Sequence, residues 1–277
     1  MTILIENDFR LDNHITISNQ IKTIPIYSSY FFPIISYKNL DENHKIIKDC
    51  VVLNDNENIH TRDIPYKLIY FPNYDFTLYN FHNSFGISLY HTFLSVSILH
   101  DHNISYTVNH DSFIRSDKLG INNVLLHNFS NSFYFNMIHF DNLRDYFSLS
   151  LLDNPYIPID VFIITYIIHT NTSTMSNNEI DSISELFNDG REKINKNSIY
   201  IDLSYLLNFS SQQVIKYLFQ FKHTWSYHSL AYYFILHYPT LLTSHNLYDT
   251  VYQYINSTIT ERNPNIIADI HDSLFIR

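Results

Sequence analysis

Histidine is the chemically capable residue this sequence supplies in quantity, at sixteen of 277 positions. The densest group is His100-Asp101-His102, followed by His110-Asp111. A His-x-His pair can hold zinc, and paired His-Asp doublets suit a metal-dependent phosphohydrolase. Here the group follows a helical pattern and reads as a solvated loop, with no further ligands at a recognisable spacing, so no metal site is expected. His223 and His228 flank the single tryptophan, Trp225, at the start of an apolar stretch, where hydrogen-bonded core histidines are expected. The one cysteine, Cys50, has Val51 and Val52 beside it and no adjacent base, which describes a buried inert thiol. A Gly-x-Ser-x-Gly nucleophile turn is missing from the sequence.

Composition narrows the classes further. Hydrophobic residues make up 45% and aromatics 16%, enough for a core and against wholesale disorder. The net charge is −10 with His neutral, and the 17 Lys and Arg are scattered without a run, which disfavours nucleic-acid binding. Aromatic runs such as Tyr27–Phe32 and Tyr70–Phe81 lack interleaved cations and read as core or protein interface. A lone cysteine excludes an intrachain disulfide and fits a reducing compartment. Met1–Ile5 is followed at once by charged residues, unlike a secretory leader. The longest apolar run, Val161–Ile168, is far short of a membrane span. These features predict an intracellular protein that is neither secreted nor transmembrane.

The elements that must position any site fall into two zones. Thr2–Glu6, Ile15–Ser18, Ile21–Tyr37, Ile46–Leu53 and Tyr66–Pro72 are rich in β-branched and aromatic residues and bounded by Asn/Asp clusters, which predicts a small antiparallel sheet. The remainder reads as helices. Ile87, Tyr90, Leu94 and Ile98 mark the apolar face of one. Ser176 with Glu179 and Ser210 with Gln213 are capping-box patterns, the first closed by Gly190. Residues 225–238 are apolar on nearly every side and stop at Pro239, the mark of a buried helix. Leu247, Val251 and Ile255 define another helix, and a terminal one runs through Ile270 and Leu274. Strands followed by helices predict an α+β fold, with a β-rich lobe over 1–75 and a helical lobe over 76–277.

Three segments carry a family resemblance. Lys222-His223-Thr224-Trp225-Ser226-Tyr227-His228-Ser229-Leu230-Ala231 is similar to the kinase segment Asp-x-Trp-Ser-x-Gly, and more so to a viral variant with Thr-Trp followed by Tyr-x-Leu-Ser. Leu126-His127-Asn128-Phe129-Ser130-Asn131-Ser132-Phe133 resembles the Leu-Ile-Asp-Phe-Gly-x-Ser-Ile segment that opens the activation loop. Ile157-Pro158-Ile159-Asp160-Val161 resembles the Ala-Pro-Glu segment that closes it, with Tyr146-Phe147 between them. From about Tyr27 onward the chain resembles the divergent protein-kinase-like proteins of nucleocytoplasmic large DNA viruses. Those relatives also tend to carry a helical insertion corresponding to Ser176–Ser210. The resemblance implies a two-lobed kinase-like fold with a reduced sheet lobe and a buried Trp225. It places Asp160 at the closing Glu, whose kinase partner is an Arg near the C-terminus; Arg262 is the nearest candidate.

The parts that phosphoryl transfer requires are missing from the sequence. No glycine precedes Gly86, so no glycine-rich loop can cover nucleotide phosphates. Lys45, Lys48 and Lys67 lack the Val-Ala-x-Lys context of the phosphate-holding lysine. Asn128 replaces the magnesium-binding Asp, and His223 replaces the Asp that braces the catalytic loop, while His228 stands at the Gly. Tyr106 falls at the His of the catalytic loop, Val108 or a gap at the base and Ser112 at the metal-binding Asn. His139-Phe140-Asp141 copies the His-x-Asp form, but it follows the Asn128 segment, and Tyr146 stands where its Asn would be. The expectation is a pseudokinase with no catalytic, cofactor or metal residues. It would bind a viral or host protein, with no nucleotide, nucleic acid or membrane, in host cytoplasm or virion. A residual Ser/Thr kinase, a minor capsid protein reusing the fold and a metal hydrolase are the alternatives.

Overall fold

The computed structural model describes residues 17, 20, 21, 23, 24, 34–40, 46–53, 79–108, 113–116, 123–126, 129 and 131–275. Two compact units are drawn from Met1–Ser95 with Asn109–Phe133, and from Val96–Val108 with Tyr134–Arg277. The described residues are mostly helical with small antiparallel two-stranded sheets, an α+β composition. None of their helices is long and apolar enough to cross a membrane.

In the first unit, β1 (Ile34–Leu40) and β2 (Ile46–Leu53) pair antiparallel, with Ile34 opposite Leu53 and Leu40 opposite Ile46. Strand β2 has the expected bounds, and β1 takes in the end of the expected 21–37 stretch, of which residues 22 and 25–33 lie outside the described residues. Ile17, Gln20 and Ile21 are helical, which corrects the strand expected at Ile15–Ser18 and at Ile21. The reason is periodicity: Ile17, Ile21 and Ile24 lie at i, i+4 and i+7, and all three are buried. The strands expected at Thr2–Glu6 and Tyr66–Pro72 lie outside the described residues.

Helix α1 (Tyr79–Asp101) is longer than its apolar pattern suggested and buries a different face. Phe85, Leu89, Phe93, Val96 and Leu99 are wholly buried, while Ile87 is 50% exposed. Both stripes have helical spacing, and the one with the larger aromatic side chains removes more apolar surface from water. The polar residues on that inner face are tolerated because their hydroxyls bond back along the helix. Thr92 Oγ1 donates to the Ser88 carbonyl at 2.7 Å, and Ser95 Oγ to His91 at 2.9 Å. A hairpin of β3 (Phe113–Ser116) and β4 (Asn123–Leu126) then interrupts the helices, unforeseen because four-residue strands carry too little alternation to read.

The second unit is an assembly of helices. Helix α2 (Ile159–Thr170) was missed, since an Ile-rich segment buried on most sides shows no polar stripe. Helix α3 (Asn177–Asn188) begins at the expected Ser176 cap and buries Ile180, Ile183 and Phe187. Helix α4 (Lys196–Tyr205) starts at Asn195, whose side chain accepts the Asn197 amide at 3.0 Å. Helix α5 (Ser211–Leu218) has the full capping box of Ser210 and Gln213. Helix α6 (Lys222–His237) is buried without a break from Thr224 to Ile235, and Pro239 opens α7 (Pro239–Ser244). Helices α8 (Tyr248–Asn256) and α9 (Ile266–Phe275) complete the unit, with Val251, Ile255 and Ile270 inward as expected.

Among the described residues five helix ends turn through a left-handed residue: Gly190, with φ 70°, and four asparagines, Asn103, Asn171, Asn208 and Asn246, with φ between 53 and 67°. Asparagine tolerates this region better than other residues with a Cβ, so it fills a role usually given to glycine. Around α6, Trp225 meets the edges of Phe219 and Phe147 at centroid distances of 5.3 and 6.2 Å. Leu230 is wholly buried on α6, whereas Ile201 on α4 is 59% exposed. Leu230→Ala should therefore cost about 3 kcal/mol in urea unfolding. Ile201→Ala should stay within about 0.5 kcal/mol of the parent.

Candidate functional site

The start of α6 is where most of the sequence-marked residues converge. Ser226 and Ser229 are one turn apart on an otherwise apolar helix, and both are buried. Ser226 Oγ accepts the Tyr106 amide at 2.9 Å, and Ser229 Oγ accepts the Val108 amide at 3.0 Å. The Val108 carbonyl in turn accepts Asn154 Nδ2 at 3.0 Å. Segment 104–108 is thereby fixed by side chains on two sides, with Tyr106 and Val108 wholly buried. The 104–108 backbone is thus braced from α6 by Ser226 and Ser229, and not by His223.

His100 belongs to this cluster, which corrects its assignment to a solvated loop. It occupies the last turn of α1, and its Nε2 shares a hydrogen bond with Ser226 Oγ at 3.0 Å. Its ring meets Tyr227, Phe135 and His223 edge-on at 4.9, 5.7 and 5.9 Å. Burial, with a smaller contribution from His223, pushes its pKa down to about 3, so the imidazole is neutral. A serine 3.0 Å from a neutral imidazole has the form of a nucleophile and its base. Ser226 is wholly buried, however, and already holds the Tyr106 amide, so the pair is part of the brace.

The neighbours of His100 separate into two kinds. Asp101 and His102 are exposed. His223 is exposed as well, a correction to the core role expected of it; its ring lies 5.1 Å from Phe135, and burial followed by Lys222 lowers its pKa. Lys222 Nζ lies 5.1 Å from the same Phe135 ring. His228 is the buried histidine of the two, bonded through Nε2 to the Ile255 carbonyl at 3.3 Å. Burial, then Arg262, holds its pKa well below the usual value.

A second buried cluster surrounds the Asp160 carboxylate. Asp160, in the first turn of α2, forms an ion pair with Arg262, and both side chains are almost completely buried. The partner suggested by sequence for Asp160 is the one it has. Nearby, Asp202 of α4 accepts the Ile259 amide with both oxygens, at 2.9 and 3.1 Å. Neither Asp202 nor Arg191 was foreseen. Arg191 is buried; its guanidinium donates to the carbonyls of Phe187, Asn154 and Pro155 at 2.7, 2.9 and 3.2 Å. It also lies over the rings of Phe187 and Phe162 at 4.4 and 5.5 Å, and burial lowers its pKa to about 10.

His139 and Asp141 are exposed around a short 3-10 turn, where Asn142 Oδ1 accepts the His139 amide at 2.7 Å. Asn128, His110, Asp111, Ser112, Lys45 and Lys67 lie outside the described residues. Lys48 and Cys50 lie on β2. Among the described residues no three His, Cys, Asp or Glu side chains gather as metal ligands would. No protein-family model, curated protein or solved structure matches the chain.

The Asp160–Arg262 pair yields a two-step expectation. Asp160→Ala leaves a buried guanidinium uncompensated and should cost about 3–5 kcal/mol in chemical denaturation. Replacing both partners together, as Asp160→Leu with Arg262→Met, should recover most of that loss.

Proposed function

We propose that this chain is a catalytically inactive protein-kinase-like module, of the kind found in large DNA viruses, that works by binding a protein partner. The observation that carries the reading is segment 104–108. The resemblance aligns this segment with the catalytic loop, and its backbone is braced from the buried Trp-containing helix. Val108, at the position of the general base, is a wholly buried aliphatic side chain. It can neither accept a proton nor reach a substrate hydroxyl. The Asp160–Arg262 pair is the one the resemblance suggests, and the serine brace on the Val108 amide holds the same segment from a different position than the missing Asp would. These contacts support a kinase-like scaffold whose chemical positions carry other residues.

The sequence supports the same conclusion from the phosphate side. All three glycines lie at position 86 or later, so none is available to a phosphate-covering loop in the first 85 residues. With the buried base position, this favours a scaffold over a residual kinase.

The reading is tested by a thermal-shift titration with ATP in the presence and absence of Mg2+, alongside a phosphotransfer assay on a generic basic protein substrate. The expected outcome is an unchanged melting temperature and no transferred phosphate. A magnesium-dependent rise of several degrees with ATP, or any incorporation abolished by substitution in the 104–112 segment, would overturn it.

A further inference from the structure

The buried cluster around Arg262 contains two carboxylates and one guanidinium. Asp160 is wholly buried and Asp202 is 7% exposed. The guanidinium is committed to Asp160 through Nη1. Among the described residues Asp202 has no ion-pair partner of its own; both its oxygens converge on the single amide of Ile259. If both carboxylates were ionised, the cluster would hold an unbalanced negative charge in a low-dielectric interior. The cluster also contains an unused acceptor, since Asp160 Oδ1 is buried without a hydrogen-bond partner, and Arg262 Nε is unpartnered on the other side of the pair.

We propose that Asp202 is a proton-binding site, and that its proton controls the clasp between helix α4 and the segment from Ile259 to Arg262. Protonation balances the cluster, with Asp160 ionised against Arg262 and Asp202 neutral while still accepting the Ile259 amide. Loss of the proton sets two buried carboxylates against one another and weakens the clasp. This inference does not depend on the kinase-like reading, since it rests on the local geometry alone.

The charged and titratable groups acting on Asp202 are few. On the 257–262 segment they are Arg262, which favours its ionised form, and Glu261, which opposes it; Asp160 of α2 opposes it as well. Tyr217 of α5 lies close enough to respond to the Asp202 charge. His228, whose pKa is depressed well below the usual value, adds no positive charge to the cluster near neutral pH. Burial outweighs the Ile259 bond and the Arg262 charge, and lifts the Asp202 pKa from 3.8 to about 7.

The sign of the linkage follows. The folded protein holds the proton more tightly than the unfolded chain, so the stabilising contribution is complete below about pH 4. It is lost as pH rises through about 7. Within that window one extra bound proton changes the folding constant by up to about tenfold per pH unit.

The test compares wild type with Asp202→Asn, which keeps an acceptor for the Ile259 amide but carries no charge, by urea unfolding from pH 5 to 8.5. The proposal expects wild type to lose stability relative to the variant as pH rises, with the variant the more stable at pH 8.5. Parallel pH profiles, or a variant less stable at every pH, would overturn it. Should the variant fail to fold, carboxyl-carbon NMR titration of the wild-type chain decides. A buried carboxyl with its midpoint above pH 6 supports the assignment, and titration of every carboxyl below pH 5 refutes it.

Discussion

A helix buried on every side must place its polar groups inside the protein, and α6 directs the hydroxyls of Thr224, Ser226 and Ser229 at backbone. Trp225 Nε1, His228 Nδ1 and the Tyr232 hydroxyl are buried without a hydrogen-bond partner among the described residues. Ser226 and Ser229 take the amides of Tyr106 and Val108, while Thr224 Oγ1 donates to the Phe221 carbonyl. Each bond satisfies a buried group on both sides, so leaving either half unmade would cost about 1–3 kcal/mol. The consequence reaches past α6. Segment 104–108 has little regular structure of its own, and its conformation is set by a helix more than a hundred residues away in sequence.

The same logic operates at Arg191, with the roles reversed. A buried guanidinium donates to three carbonyls, two of them in the 154–155 turn that precedes α2. Asn154 also holds the Val108 carbonyl, so the turn, the braced segment and the helix that ends in Asn188 form one hydrogen-bonded chain. Side chain to backbone contacts of this kind fix loop geometry more sharply than apolar packing, because they are directional. A surface built on such loops would be rigid before any partner arrived.

Much of the helical half was legible in the sequence, and the reasons are local. The Ser176 and Ser210 caps, the Pro239 stop and the all-round apolar character of α6 are short-range signals, and the structure has each of them. The misses arose where local pattern was ambiguous. Helix α1 offers two apolar stripes, and only tertiary packing decides between them. Ile17, Ile21 and Ile24 carry β-branched side chains that suggest a strand, yet their spacing is helical. The Ser226 and Ser229 brace left a readable trace, two serines one turn apart in an apolar helix, but nothing in sequence says which amides they meet. Asp202 and Arg191 were unreadable because their burial depends on elements that join them only in three dimensions.

The asparagines that close α1, α2, α4 and α7 also bear on the unfolded chain. Glycine in such turns avoids strain but leaves the denatured ensemble with the most conformations to surrender on folding. A chain with three glycines among 277 residues has less of that disorder to lose. Its left-handed turns carry a little strain in the native state, and its unfolded state is correspondingly stiffer. Part of this protein's stability therefore resides in the poverty of its alternatives, which no inventory of native contacts would count.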